Sequence, residues 1–306
     1  MDVRDLLDRL HRGEPRCIAR AISLVEDRDP AAGDILAGLD RVRFESALVL
    51  GITGPPGAGK STLTGGLIRL LRERGERIGI VAIDPSSPVS GGAILGDRIR
   101  MMSHALDPEV VVRSMATRGR LGGLCAAAGA AVRIMAAGGC RTVIIETVGV
   151  GQTEMDIIGL ADLTVMVLAP GFGDDIQAMK AGILEVADLI VINKADRPEA
   201  EKLALDLGTV FSDETQREER LLRTVASQQQ GLDLLLARIM SLEERLRGDQ
   251  TLLERRHRAF AAETMDWALE LLRPRIARLL PDHQETDPRL AAAEIVAKLE
   301  RSSDHD

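Results

Sequence analysis

Apolar runs alternate with helix-like segments through the middle of the chain, from about residue 45 to about residue 240. Seven of these runs are strand-like, namely ALVLGIT, RIGIVAID, EVVVRS, RTVIIE, LTVMVLA, LIVIN and LLRTVA. Most are continuously apolar, which is typical of parallel strands that are covered on both faces. Because helical segments separate them, the pattern predicts an α/β fold with a doubly wound, mainly parallel sheet and right-handed crossovers.

The two ends of the chain have helical patterns and no strand-like runs. Residues 1–44 carry apolar residues at helical spacing, and we interpret them as an N-terminal helical extension. Residues 241–306 predict two amphipathic helices, which leaves residues 45–240 as the α/β domain. The first C-terminal helix has an apolar stripe that must be buried, either within the chain or against a second copy of it. The members of this stripe are Leu252, Leu253, Phe260, Met265, Leu269 and Leu272.

Composition narrows the possible partners and the compartment. The formal net charge is −8 and aromatic residues make up 2% of the chain, whereas nucleic-acid binders usually present a basic face or stacking rings. No apolar stretch approaches the roughly 20 residues that span a bilayer, and the first residues include no apolar signal core. We therefore expect a cytoplasmic protein with neither a nucleic-acid nor a membrane partner.

A turn rich in glycine and proline follows the first strand-like run. Its sequence, GPPGAGKST, has the G-x4-G-K-[ST] spacing of a phosphate-binding loop between a strand and a helix. Glycines let successive backbone N–H groups converge on phosphate oxygens, and the helix that follows directs its positive end at them. Lys60 adds a cation between the β- and γ-phosphates, and the Ser61 hydroxyl can bind Mg²⁺. The predicted phosphate-binding residues are Gly54, Pro55, Pro56, Gly57, Ala58, Gly59, Lys60, Ser61 and Thr62.

A second motif indicates which base is bound. Asn193, Lys194 and Asp196 form an N-K-x-D arrangement at the end of the run LIVIN. A carboxylate can accept two hydrogen bonds from the N1–H and the 2-amino group of guanine, and adenine presents no such pair of donors. A backbone N–H for the guanine O6 is expected from the loop after the last strand-like run. This loop contains Val225, Ala226 and Ser227, and the predicted ligand is GTP or GDP.

Acidic residues near the ends of other runs are candidates for Mg²⁺ binding and catalysis. Glu146 ends RTVIIE, and Gly149, three positions later, can offer its N–H to the γ-phosphate. Asp84 ends RIGIVAID, and Asp97 lies in GDRIRM; either can face Mg²⁺ or simply cap a following helix. The candidate metal ligands are therefore Ser61, Asp84, Asp97 and Glu146.

Together these stretches resemble the MeaB/ArgK family of GTPases. The resemblance covers roughly residues 10–275 and rests on GPPGAGKST, VAIDPSSPVSGGAILGDRIRM, RSMATRGRLGGL, ETVGVGQTEMD and GFGDDIQAMKAGILEVADLIVINKAD. Two of its features rarely occur together elsewhere: glutamate where most switch GTPases have aspartate, and the GDD-Q-x-x-K stretch. One departure is the loop 225–227, where the family usually has Ser-Ala.

This resemblance implies a P-loop NTPase fold of the SIMIBI type and a GTPase chaperone of an adenosylcobalamin-dependent acyl-CoA mutase, chiefly methylmalonyl-CoA mutase. Such a chaperone gates cobalamin loading and protects the loaded mutase. The resemblance also implies a homodimer through the C-terminal helices, and a mobile third switch that includes Lys180. Candidate catalytic residues are Lys60, Asp97, Glu146, Gly149 and Lys180.

Two other functions use a similar phosphate loop. A nickel-insertion GTPase needs clustered Cys and His ligands near its switches, and the nearest candidates here, His104 and Cys125, stand 21 positions apart. A small-molecule kinase would carry a substrate pocket and a lid and would not need N-K-x-D. The sequence favours the GTPase chaperone over both.

Overall fold

Seven parallel strands form the centre of the fold, in the order β3-β2-β4-β1-β5-β6-β7. The computed structural model describes residues 2–84, 107–116, 127–147, 159–171, 183–208, 211, 213–280 and 287–303. The strands are β1 (Leu48–Thr53), β2 (Ile78–Asp84), β3 (Val110–Ala116), β4 (Thr142–Thr147), β5 (Leu163–Leu168), β6 (Leu189–Ile192) and β7 (Leu221–Arg223). All seven strand-like runs therefore form strands, and the doubly wound parallel sheet is confirmed.

Helices precede, connect and follow the strands. They are α1 (Val3–His11), α2 (Pro15–Glu26), α3 (Ala32–Ala37), α4 (Arg41–Ser46), α5 (Lys60–Glu73), α6 (Ala127–Ala137), α7 (Ile183–Val186), α8 (Ala200–Gly208), α9 (Glu214–Arg220), α10 (Leu232–Gly248), α11 (Thr251–Leu279) and α12 (Pro288–Ser303). The described chain divides into two compact units, Met1–Ala259 and Phe260–Asp306.

The core of the first unit is built on both faces of the sheet. On one face, side chains of the central strand pack with those of α5 and α10, among them Leu50, Ile52, Leu67 and Leu235. On part of the other face, strands β5 and β6 pack against α7 and α8. Burial of both faces explains why these strands are continuous apolar runs.

The N-terminal extension packs against α6. Helix α6 has the sequence AAGAAVRIMAA, and all of its residues except Arg133 are buried. Small side chains suit this helix because it contacts strand β2 on one side and α2 and α4 on the other. The Arg43 guanidinium also links α1 to α6, since it donates to the carbonyl oxygens of His11 and Ala137 at 2.6 and 3.0 Å.

Three arginines at the amino-terminal edge of the sheet form what we name the basal arginine cluster: Arg247, Arg255 and Arg256. Arg256 binds the Asp162 carboxylate through two N···O contacts of 2.8 and 2.6 Å, and the residue Asp162 is 2% exposed. The Asp162 carboxylate also accepts the backbone N–H of Val49 at 2.8 Å. The cluster thus fixes α11 to the start of β1 and to the residue that precedes β5.

The other contacts of the cluster reach the segment between α4 and β1. Arg247 donates to the carbonyl oxygens of residues 45, 46 and 47, and Arg256 donates to those of residues 44, 45 and 47. Arg255 binds the Asp188 carboxylate through two contacts of 2.9 and 2.8 Å. The hydrogen bond to Asp188 raises the pKa of Arg255 above its usual value, and the neighbouring carboxylates of Asp188 and Asp162 add to this effect.

Leu252, the first member of the predicted apolar stripe, is covered by its own chain, which is one of the two alternatives that the sequence left open. It is 5% exposed and belongs to the core that also contains Leu242 and Leu246. The basal arginine cluster lies close to these leucines in the sequence: Arg247 follows Leu246 in α10, and Arg255 and Arg256 lie one turn after Leu252 in α11. The first residues of α11 are therefore anchored to the sheet. The helical pattern correctly identified an apolar position but not the surface that covers it.

The second unit comprises the rest of α11 and helix α12. Ile295 of α12 is buried. Several large apolar side chains of this unit are more than half exposed, including Phe260 (66%), Met265 (62%) and Leu269 (55%). Across the described helices, none is both long enough and apolar enough to cross a membrane.

Candidate nucleotide-binding site

The glycine-rich turn lies between β1 and α5, and its glycines are required by its backbone. Gly54, Gly57 and Gly59 have φ of 137°, 79° and 92°, a region that other residues rarely adopt. A Cβ on Gly54 would lie 2.0 Å from the Val167 carbonyl oxygen, and a Cβ on Gly59 would lie 2.3 Å from Nδ2 of Asn193. Any side chain at these two positions would therefore displace the loop from the sheet.

Three side chains hold the carbonyl groups of this loop. Lys60 Nζ donates to the carbonyl oxygens of Gly54 and Pro55 at 2.7 and 3.0 Å. Lys194 Nζ donates to that of Gly57 at 2.7 Å, and Asn193 Nδ2 to that of Ala58 at 2.9 Å. The loop is thus braced by its own lysine and by two residues of the N-K-x-D motif.

Asn193 also contacts the loop after β7. Its Oδ1 accepts hydrogen bonds from the Thr224 hydroxyl and from the backbone N–H of Ala226, each at 3.1 Å. The Val225 N–H donates to the Gln230 carbonyl oxygen at 3.0 Å. Asn193 is buried and therefore joins the phosphate loop to the loop that contains the candidate base contacts. Thr224 was not among the sequence candidates, although its place directly before Val225 was a usable signal.

On the other side of the phosphate loop, Ser61 meets Glu146. Ser61 Oγ donates to Glu146 Oε1 at 2.6 Å, and Glu146 is buried at the end of β4. The Thr53 and Thr147 hydroxyls, also missed from the sequence, lie 3.4 Å apart at the ends of β1 and β4. A hydroxyl and a carboxylate are the hard oxygen ligands that Mg²⁺ prefers, so this pair fits the ion chemically.

Several sequence candidates are only partly placed or lie elsewhere. Asp84 is the last residue of β2, and the residue before it, Ile83, is paired with Thr147 of β4. The backbone of Asp84 therefore lies near the end of β4, the strand that carries Glu146. Asp97, Gly149 and Lys180 lie outside the described residues, as do the nickel-ligand candidates His104 and Cys125. Within the described ranges, no three His, Cys, Asp or Glu side chains are grouped as a metal site.

The placed candidates meet at one edge of the sheet. The phosphate loop follows β1, Glu146 is the penultimate residue of β4, the N-K-x-D motif follows β6, and residues 225–227 follow β7. Asp196 and Ser227 are exposed at this edge. In the sheet, β4, β2 and β3 lie on one side of β1, and β5, β6 and β7 lie on the other. Ligands of open α/β sheets bind at such a topological switch point, outside the carboxyl ends of the strands.

Comparison with known proteins decides the family. The model of the family described as "Methylmalonyl Co-A mutase-associated GTPase MeaB" matches residues 18–280. The chain belongs to the MeaB family. It is therefore a P-loop GTPase that binds GTP and GDP, and the resemblance seen in the sequence motifs is confirmed.

Relatives of this MeaB-family chain include proteins from distant sources. A Pyrococcus abyssi protein, whose name calls it a GTPase, is 44% identical over 267 residues, covering 85% of this chain and 82% of the relative. GTPase ArgK of Escherichia coli is 42% identical over 61% of this chain and 58% of its own length. The mouse protein named "Methylmalonic aciduria type A homolog, mitochondrial" is 37% identical over 62% of this chain and 50% of its own length.

One solved structure resembles the whole chain. It is the crystal structure of an LAO/AO transport system kinase, with a TM-score of 0.68 and 24% sequence identity, covering 97% of both chains. At this level of identity the likeness concerns the fold. It agrees with the doubly wound parallel sheet described above.

Proposed function

We propose that this MeaB-family GTPase is a chaperone that gates cobalamin loading and protects an adenosylcobalamin-dependent acyl-CoA mutase. The observation that carries the proposal is the family match over residues 18–280, because the family's own description associates it with methylmalonyl-CoA mutase. The name of the mouse relative refers to methylmalonic aciduria, which supports the same partner. Methylmalonyl-CoA mutase is therefore the mutase to test first.

The proposed nucleotide contacts follow from the braced loops. Backbone N–H groups of residues 54–62 would surround the phosphates, and Lys60 would place its charge between the β- and γ-phosphates. The Asp196 carboxylate, exposed beside Lys194, would accept the two N–H donors of the guanine edge. The guanine O6 would accept an N–H from the loop that contains Val225, Ala226 and Ser227.

Mg²⁺ would be held by the Ser61 hydroxyl and, directly or through water, by Glu146, which already lie 2.6 Å apart. Asp84 and Asp97 remain proposed further ligands. Bound Mg²⁺ supplies positive charge to the β- and γ-phosphate oxygens. The other proposed catalytic groups are Lys60, which stabilises charge on the transferred phosphate, Gly149, which senses the γ-phosphate, and Lys180.

The function is tested by measuring GTP turnover with and without the mutase. Because a bound partner can fix switch segments in their catalytic arrangement, we expect methylmalonyl-CoA mutase to accelerate hydrolysis by at least about tenfold. An acyl-CoA enzyme that does not use cobalamin serves as the control and should leave turnover unchanged. A pull-down in GDP and in a non-hydrolysable GTP analogue should retain the mutase to different extents. Turnover that is equally fast without the mutase would contradict the proposal.

We also propose that two copies of the chain pair through the second unit. The argument is that Met265 and Leu269, which lie one helical turn apart on α11, are exposed together, and a twofold interface uses the same patch on both copies. The Phe260–Asp306 unit can be removed after Ala259, which keeps the basal arginine cluster in place. The truncated chain should be a monomer that still binds GDP, because every described nucleotide-site residue precedes residue 228.

Light scattering measures whether each chain is a monomer or a dimer. Full-length chains with Met265→Asp and Leu269→Asp should also become monomeric. The matched control is Leu205→Asp, since Leu205 of α8 is a similarly exposed leucine in the first unit and its replacement should leave the dimer intact. A dimeric truncated chain would place the interface in the first unit instead.

A further inference from the structure

Gly66 lies in the interior of α5, the helix that begins at the phosphate loop. Glycine is among the least favourable residues inside a helix, so its presence there needs a packing or functional reason. A Cβ placed on Gly66 would lie only 2.3 Å from Cδ1 of Leu232. Gly66 therefore allows Leu232 to approach the surface of α5 more closely than any other residue would.

Leu232 is the first residue of α10 and is fully buried. The residue before it, Gly231, has a φ of 76°, and a Cβ on Gly231 would lie 2.3 Å from the Arg223 carbonyl oxygen. The backbone before Leu232 is thus packed tightly against the end of β7. A change in the position of Leu232 would be passed directly to the residues that precede it.

These preceding residues form a closed loop. The backbone groups of Val225 and Gln230 exchange two hydrogen bonds of 3.0 and 3.2 Å. Inside the loop, the 3₁₀ turn Ala226–Gln228 packs on α5. Two further contacts attach this region to the phosphate-binding element: Asn193 links Ala226 to the Ala58 carbonyl, and Leu232 contacts Gly66.

We propose that Gly66 and Leu232 are positioning residues for guanine binding. Their contact helps to set the distance between the base loop and α5, and so the position of the loop relative to the base. Leu232 is fully buried and Gly66 is half-buried, whereas Ser227 of the loop is exposed. The inference concerns the GTPase site alone and is independent of the proposed mutase partner.

Gly66→Ala tests the proposal. Its methyl group would push Leu232 and the base loop away from α5. The loss of a well-placed hydrogen bond to the base would raise KM for GTP by roughly three- to tenfold. We expect kcat to stay within about twofold, because the base contact is made equally before and during hydrolysis. Inhibition by inorganic tripolyphosphate, which has no base, should be unchanged.

Three further variants make the test specific. Gly66→Ala/Leu232→Ala removes the clash and should bring KM back towards that of the natural chain. It should also have a lower KM than Leu232→Ala alone, whose gap the new methyl group partly fills. This last comparison remains available if Gly66→Ala alone does not fold. The matched control is Gly33→Ala, since Gly33 lies in helix α3 and its Cβ would have no neighbour within 4 Å.

Three results would overturn the proposal. The first is an unchanged KM in Gly66→Ala. The second is an equal loss of GTP and tripolyphosphate binding, which would place the effect in the phosphate loop. The third is a double variant whose KM is no lower than that of Leu232→Ala, which would show that the two side chains do not act through their contact.

Discussion

Lys60→Ala is expected to lower GTP hydrolysis by roughly 10²- to 10³-fold, because a preorganised donor to the developing phosphate charge is lost. The structure adds a second reason for the loss. Lys60 Nζ also holds the carbonyl oxygens of Gly54 and Pro55, so the variant loses both the cation and a brace of the loop. GTP binding should therefore weaken together with turnover. Single-turnover hydrolysis and nucleotide titration measure the two effects separately.

Lys202→Ala is a suitable control for this prediction. Lys202 is an exposed lysine of α8, so its replacement changes the net charge equally without touching the phosphate loop. It should hydrolyse GTP at the rate of the natural chain. Normal turnover in Lys60→Ala would remove the assignment of residues 54–62 as the phosphate site.

Arg256→Ala is expected to lower the free energy of unfolding by about 3 kcal/mol or more, because a buried carboxylate loses its partner. The Asp162 side chain is 3% exposed and has two contacts with Arg256. Once the arginine is removed, the backbone N–H of Val49 still donates to that carboxylate, but the charged partner is lost. Urea unfolding followed by circular dichroism measures the change.

Two other substitutions on the same helix define the cause. Arg258→Ala removes an exposed arginine two positions away and should change the free energy of unfolding by less than about 0.5 kcal/mol. Arg256→Lys keeps the charge but cannot make the paired contacts of a guanidinium, so an intermediate loss is expected. An Arg256→Ala protein as stable as Arg258→Ala would show that the basal arginine cluster contributes little to stability.

The strands and the phosphate loop were predictable from the sequence because their signals are local. A strand buried on both faces is a short apolar run, and a phosphate loop is a fixed spacing of glycines before a lysine. The contact of Asn193 with the loop after β7 was not predicted, although both segments were identified. Adjacent positions in the sheet become visible only when the strand order is known.

The basal arginine cluster could not have been predicted in the same way. Arg256 and Asp162 are separated by 94 residues, and Arg255 and Asp188 by 67. In the sequence, Arg255 and Arg256 look like charged residues of a solvent-exposed helix face. The sequence likewise could not decide whether Leu252 is covered by its own chain or by a second copy, since helical spacing shows that a face is apolar but not what covers it.

Gly66 is a different case, because its signal was present in the sequence. A glycine inside a strongly helical segment indicates a close approach or another constraint, but not which residue approaches. The partner Leu232 lies 166 positions later and belongs to another helix, so only the folded chain reveals the pair.

The bracing of the phosphate loop has a consequence for the rates of nucleotide exchange. The donors on its carbonyl oxygens come from Lys60, Lys194 and Asn193, so the loop's shape is maintained by bonds within the protein. A site that is organised by such bonds loses little conformational entropy when a ligand arrives. Association of GTP and of GDP should therefore be similarly fast, and any difference in their affinities should appear as a difference in how long each nucleotide stays bound.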